Sequence, residues 1–147
     1  MKIILSLTLA LFIVEIADAQ EISYPEELSS FELTIEGISE DKGEIRIAVF
    51  NSEASYNEKE DPIHAIVLPV NGGTLIWDEE KLPYGDYAIA VYHDRNTNGE
   101  LDSNILGIPK EAYGFSNNAR GRFGPASWKD VHFTISSRTY SMSIQVK

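Results

Sequence analysis

Cysteine is absent from this 147-residue chain. That excludes disulfide frameworks, thiolate nucleophiles, zinc ribbons and iron–sulfur ligation together. It also excludes the lipid-bearing cysteine that directly follows a bacterial lipoprotein signal. Basic residues are scarce, 12 against 23 acidic ones, for a net charge of −11. A nucleic-acid binder needs a basic footprint to displace phosphate counterions, so no nucleic-acid partner is expected. Histidine occurs at 64, 93 and 132 only, and His64 and His132 lack neighbours at metal spacing, so a zinc site is not indicated. No long hydrophobic run follows residue 14, and no membrane span is expected. What is present is enough apolar material, 43% hydrophobic and 10% aromatic, to bury one core rather than two.

The first nineteen residues, MKIILSLTLALFIVEIADA, carry a positive Lys2, an apolar run from Ile3 to Val14 and the small-x-small site Ala17-Asp18-Ala19. This is a signal-peptide pattern, too short and too interrupted by Glu15 and Asp18 to cross a bilayer. Residues 1–19 are therefore expected to direct export to the periplasm or the exterior. Residues 20–30 read as a polar leader or a loosely attached edge, and 31–147 as one domain.

Period-two alternation marks the strands of that domain. Phe31, Leu33 and Ile35 form the first and Ile45, Ile47 and Val49 the second. His64–Val70 is a third, demoted to an edge by Pro69. Asn71-Gly72-Gly73 is a tight-turn signal, so this strand is expected to form a hairpin with Thr74–Asp78. Ala88–His93 is apolar on both faces, with Tyr87, Ile89 and Val91 on one and Ala88, Ala90 and Tyr92 on the other. Val131–Ile135 and Tyr140–Val146 close the chain. Ser52–Pro62 is charged and reads as a loop with at most a helical turn. About seven short strands predict an all-β immunoglobulin-like or transthyretin-like sandwich, with an open barrel as the rival.

One segment breaks the rhythm. Residues 94–128, between the fifth and sixth expected strands, show no strand or helix pattern, yet they hold Tyr113, Phe115, Phe123 and Trp128. An insert that long is either functional or disordered, and its aromatics and glycines predict a long ordered loop. It opens Asp94-Arg95-Asn96-Thr97-Asn98-Gly99-Glu100-Leu101-Asp102. Against the calcium-loop pattern, oxygen ligands fall at Asp94, Asn96 and Asn98, glycine at 99, a carbonyl at Glu100 and a carboxylate at Asp102. A hard cation needs six to eight oxygens, and alternate side chains on a curled loop converge on one point. Leu101 is expected to anchor the loop on the core. Position twelve is Ile105 instead of glutamate, so Glu111, or failing that Asn104, must complete a weak calcium site. The alternative is an Asx-rich turn without metal.

The string from Val91 to Trp128 contains H-D-x-N-x-N-G-x-L-D, G-x-P-x-E-x-Y-G-F-S-N-N and F-G-P-x-S-W. It resembles the DUF2141 family of exported bacterial proteins. The resemblance implies export and a β-sandwich but supplies no activity.

Other chemistry is sparse. His93 is either a general base, with Asp94 or Glu111, or a strand-end histidine bonded to backbone. Ser116 lacks the nucleophile elbow, and Asn117 and Asn118 suit local backbone hydrogen bonds. Arg120 and Arg122, with Arg95, Lys110 and Lys129, either receive an anionic ligand or pair with nearby acids. Tyr113, Phe115, Phe123 and Trp128 either stack on a sugar or cap the open end of the sandwich. The reading is a non-enzymatic, calcium-stabilised exported module offering residues 94–128 to an envelope protein or glycan. A small hydrolase using His93 and a structural cell-surface component are the alternatives.

Overall fold

The computed structural model describes residues 27–147. The expected signal segment, and the leader up to residue 26, lie outside the described residues. β1 (Leu28–Glu36), β2 (Glu44–Phe50), β3 (His64–Pro69), β4 (Thr74–Pro83), β5 (Gly85–Asp94), β6 (Tyr113–Phe115), β7 (Phe133–Ile135) and β8 (Thr139–Gln145) are joined by two short helices, α1 (Glu53–Glu58) and α2 (Trp128–Val131). A three-stranded sheet runs β4-β1-β8, and a five-stranded sheet runs β3-β2-β5-β6 with β7 also paired to β5. β1 lies parallel to β8 and antiparallel to β4. The chain is mostly β, in two sheets.

Alternation explains the packing. Phe31, Leu33 and Ile35 of β1 meet Ile45, Ile47 and Val49 of β2, Ile89 and Val91 of β5 and Ile144 of β8 in one buried core between the sheets. The outer face of the five-stranded sheet is also covered. Ala48, Ala88 and Ala90 keep that face low enough for Tyr56, Phe115, Ala126, Val131 and Trp128 to pack over it as a second apolar cluster. This is why β5 is apolar on both sides.

Four expectations need correction. First, β1 starts inside the expected leader, because Leu28 and Ser29 still pair with Pro83 and Leu82 of β4. Second, β3 and β4 do not form a hairpin; they belong to different sheets. Asn71-Gly72-Gly73 reverses the chain while carrying it across the core, so that Ile66 and Leu68 pack from one side and Trp77 from the other. Third, residues 94–128 are not one patternless loop. β6 lies within them, pairing Tyr113, Gly114 and Phe115 with Tyr92, Val91 and Ala90. A three-residue strand is too short to show a period. Fourth, the aromatics of that segment cover a sheet face rather than the sandwich's end, while Phe123 projects fully into solvent. The helical turn allowed for in Ser52–Pro62 is α1, where the Ser52 hydroxyl caps the Ser55 N–H at 3.2 Å. Among the described residues no helix is long and apolar enough to cross a membrane.

β6 also touches the other sheet. A Cβ on Gly114 would lie 2.6 Å from the Gln145 carbonyl oxygen and 2.7 Å from Ile144 Cγ2. Gly114→Val should therefore force β6 away from β8 and cost about 1–3 kcal/mol. A thermal melt should show a drop of roughly 5–10 °C; an unchanged melt would contradict this packing.

Candidate metal centre

β2 and β5 are antiparallel, with Glu44 opposite Asp94 and Arg46 opposite Tyr92. Alternation puts Glu44, Arg46 and Tyr92 on the outer, polar side of these strand ends. Asp94, the last residue of β5, is fully buried there. Its Oδ2 accepts from Arg46 Nε at 2.9 Å and from the Gly99 N–H at 2.8 Å, and its Oδ1 accepts from the Asn98 N–H at 3.1 Å. Arg46 also pairs with Glu44. Burial alone would raise the Asp94 carboxyl, but the Gly99 N–H, the Arg46 guanidinium and the Asn98 N–H together hold it below the ordinary carboxylate range.

The loop therefore curls around the Asp94 carboxylate. Asn96 Oδ1 accepts from the same Asn98 N–H, at 3.2 Å, and Asn98 Oδ1 accepts from the Glu100 N–H at 2.9 Å. Both asparagine amides then turn to Asp102. Asn96 Nδ2 donates to its Oδ2 at 2.7 Å and Asn98 Nδ2 to its Oδ1 at 3.2 Å. Four residues of the expected ligand set, Asp94, Asn96, Asn98 and Asp102, are thus brought together. Gly99 sits at φ +86°, the geometry expected of the loop's glycine, and the Tyr92 hydroxyl donates to its carbonyl at 2.8 Å. Thr97, a β-branched residue, is also held at positive φ, an uncommon conformation that marks a tightly constrained turn.

Other members of the set go elsewhere. Glu111 is nearly buried, and its two carboxylate oxygens accept from the N–H groups of Arg95 (2.8 Å) and Asp102 (3.1 Å). It ties the two ends of the loop together. Asn104 caps a separate turn, accepting from the Leu106 and Ile108 N–H groups at 2.9 and 3.0 Å. The Glu100 side chain is exposed. Leu101 is exposed rather than packed on the core, because Tyr92 and Glu111 supply the anchorage.

Beside the loop an open recess of about 340 Å³ is lined by Lys42, Arg95, Asn96, Asp102, Lys110 and Glu111. Glu40 bridges two of its cations, at 2.7 Å from Lys42 Nζ and 2.8 Å from Arg95 Nη1. Lys42, then Arg95, hold the Glu40 carboxyl down at about 2.

The remaining candidates have structural partners. His93 is 1% exposed. Its Nε2 sits 2.7 Å from the Lys42 carbonyl, so this nitrogen carries the proton, and its buried Nδ1 has no hydrogen-bond partner. Ser116 is buried, donating to the Val131 carbonyl at 2.6 Å and accepting from the Ile89 N–H at 3.0 Å. Asn117 and Asn118 make long-range bonds rather than local ones, to the carbonyls of Asp130 and His132 and to the backbone of Ser143 and Gln145. Arg120 donates to the carbonyls of Tyr113 and Gln145, and its guanidinium lies over the Tyr113 ring. Phe115 and Trp128 belong to the second apolar cluster. Of that group Arg122 and Phe123 project into solvent.

Arg46, Tyr92, Glu40 and Lys42 were not among the expected site residues. The alternation of Glu44 and Arg46 marks their face, but only the β2–β5 register brings that face to Asp94.

Among the described residues no group of three histidine, cysteine or acidic side chains is placed to hold a metal ion. The Asp94 carboxylate is instead surrounded by the N–H groups of Arg46, Asn98 and Gly99.

A family model described as an uncharacterized protein conserved in bacteria (DUF2141) matches residues 33–143. No curated protein and no solved structure matches the chain.

Two outcomes follow from this geometry. Gly99→Val forces a branched side chain to positive φ and should lower the melting temperature by several degrees, about 1–3 kcal/mol of strain; an unaltered melt would contradict it. Because the folded pKa of Asp94 is depressed, its contribution to stability is present above the ordinary aspartate range and is lost as pH falls through the lower, folded value. The Asn98 and Gly99 amide shifts should therefore titrate below about 3.9; a midpoint at or above that value would overturn the assignment.

Proposed function

The chain belongs to the DUF2141 family, and from that premise we propose that it is an exported, non-enzymatic β-sandwich module whose Asp94–Asp102 loop takes up one calcium ion. The ion fixes the surface built by the residues that follow, which meets a component of the cell envelope. The observation that carries this reading is the convergence of Asp94, Asn96, Asn98 and Asp102. Asp94 Oδ1 and Asn96 Oδ1 already point at one N–H. The two amide groups that face Asp102 present N–H donors to a carboxylate. Turning each amide so that its oxygen faces Asp102 gives up the bonds these oxygens accept from the Asn98 and Glu100 N–H groups, and a cation held between the oxygens and Asp102 would have to offset that loss. The Glu100 carbonyl supplies a further oxygen. Glu111 acts through the backbone, holding the ends of the loop at the spacing this requires.

The accompanying fold reading is the transthyretin-like sandwich. In the immunoglobulin order the first and second strands share a sheet. Here β1 and β2 lie in different sheets, and β1 runs parallel to β8. Export rests on the signal pattern of residues 1–19. The non-enzymatic reading is supported by the burial of His93, Asp94 and Ser116, each engaged with the protein's own backbone or with Arg46.

Two carboxylates and neutral oxygens suggest a dissociation constant of order 10⁻⁴–10⁻³ M. At about ten times that concentration, calcium should stabilise the protein by about 1.4 kcal/mol and raise the melting temperature by about 5 °C. Asp102→Asn removes one ligand charge while preserving shape and should abolish most of the rise; magnesium should give a smaller one. A calcium-independent melt of the unaltered protein, or an undiminished shift in Asp102→Asn, would sink the reading.

A further inference from the structure

The two long sides of the sandwich are finished differently. On one, the edge of β8 is covered. The Gln145 N–H donates to Asn118 Oδ1 at 2.8 Å, Asn118 Nδ2 and Arg120 Nη2 donate to the Ser143 and Gln145 carbonyls at 3.3 and 3.2 Å, and the Lys147 N–H donates to the Tyr113 carbonyl at 3.2 Å. On the other side β3 and β4 are both edge strands, and the His64 and Trp77 rings lie 5.8 Å apart between them. β3 is short and ends on Pro69, which has no N–H to offer, a common way of blunting an edge. β4 carries no such guard along Thr74–Glu79.

Which main-chain groups of β4 face outward follows from β1. The Ser30 N–H donates to the Arg138 carbonyl and the Glu36 carbonyl accepts from the Val146 N–H, both at 2.9 Å. Ser30, Glu32, Thr34 and Glu36 therefore turn their main chain toward β8. Phe31, Leu33 and Ile35 turn theirs toward β4 and bond with Glu79, Trp77 and Leu75. The N–H and carbonyl groups of Thr74, Ile76 and Asp78 thus point away from the sheet, and none has a partner among the described residues. Their side chains lie on the outer face, where Ile76 is 59% exposed. Asp78 is exposed and joins no ion pair among the described residues.

We propose that two copies of this chain join through β4, antiparallel about a two-fold axis at Ile76. The edge is complementary to itself in that register alone. Ile76 faces Ile76 of the second copy, and Thr74 faces Asp78, so an apolar pair is flanked by hydroxyls set against carboxylates. All three residues are the ones whose main chain points outward, and three facing pairs give about six main-chain hydrogen bonds. An axis at Trp77 sets Ile76 against a charge, and one at Asp78 sets like charges opposite each other. An axis at Leu75 pairs Asp78 with Gly72, beyond the end of the strand. The two-fold uses each edge once, so the assembly closes as a dimer instead of growing into a fibre. It joins β8-β1-β4 to β4-β1-β8 of the second copy in one continuous sheet. Glu32 and Glu36 lie opposite Asp78 and Thr74 on β1, so the shared face is acidic and opposes association until salt screens it. This surface is separate from the Asp94 loop and does not rest on the calcium reading.

The test is sedimentation equilibrium of the protein up to about 1 mM, in chelator throughout, with a thermal melt of each variant to show that it folds. A monomer–dimer equilibrium is expected, tighter at about 0.5 M salt than at about 0.05 M. Ile76→Pro removes an N–H that bonds nothing in the monomer and should weaken the dimer at least about tenfold. Ile76→Lys sets two cations opposite each other and should weaken it similarly, which keeps the test open if the proline variant does not fold. Thr74→Lys places a cation opposite Asp78 in both copies and should strengthen the dimer about fivefold. Ser141→Lys makes the same change of charge on β8, away from the axis, and should do far less. A monomer at every concentration overturns the proposal. So does a dimer that the folded Ile76 variants leave intact, one that salt weakens, or one that Ser141→Lys strengthens as much as Thr74→Lys.

Discussion

A single buried carboxylate organises the functional end of this molecule. Asp94 ends a central strand, where both faces of the sheet are covered, and an ion there must be compensated by hydrogen bonds and opposite charge. Arg46 supplies the charge from the neighbouring strand, and the N–H groups of Asn98 and Gly99 supply the bonds. Those two N–H groups belong to the next turn of chain, so satisfying Asp94 bends the loop back over its own origin. The turn brings Asn96, Asn98 and Asp102 into reach. Glu111 performs the same service at the far end, taking the N–H groups of Arg95 and Asp102. Loop shape here is a consequence of burying one acid.

The scaffold lets this happen without disturbing the core. The inner core is built from alternating aliphatics of both sheets, while the second cluster, with Tyr56, Phe115 and Trp128, covers the opposite face. β5 is clamped between the two and delivers Asp94 at a fixed height. Residues 95–112 leave the sheet from β5 and rejoin it at β6, and both ends are held by strand pairing.

The sequence made the strands legible because side chains alternate wherever one face is buried, as in Phe31, Leu33 and Ile35. The convergence of Asp94, Asn96, Asn98 and Asp102 was legible for a similar reason, since alternate residues on a curled loop converge. Partners across space were not. Nothing local distinguishes a turn that makes a hairpin from one that changes sheets, and Asn71-Gly72-Gly73 does the second. Nor does a three-residue strand such as Tyr113–Phe115 carry a period. Arg46 could be placed on a polar face, but its position beside Asp94 depends on antiparallel register, which is set by the whole sheet. Glu111 was expected to complete a calcium site; that both its carboxylate oxygens accept backbone N–H groups instead is visible only in three dimensions.

The recess beside the loop shares Asn96 and Asp102 with this turn. Terbium luminescence tests the central claim most directly, because this hard ion takes oxygen sites built for calcium and the Tyr92 hydroxyl lies 2.8 Å from the Gly99 carbonyl. Excitation of tyrosine should yield terbium emission that calcium displaces and that falls when Tyr92 is replaced by leucine. Absence of sensitised emission, or emission that calcium leaves unchanged, would contradict an ion at the centre of the Asp94 loop.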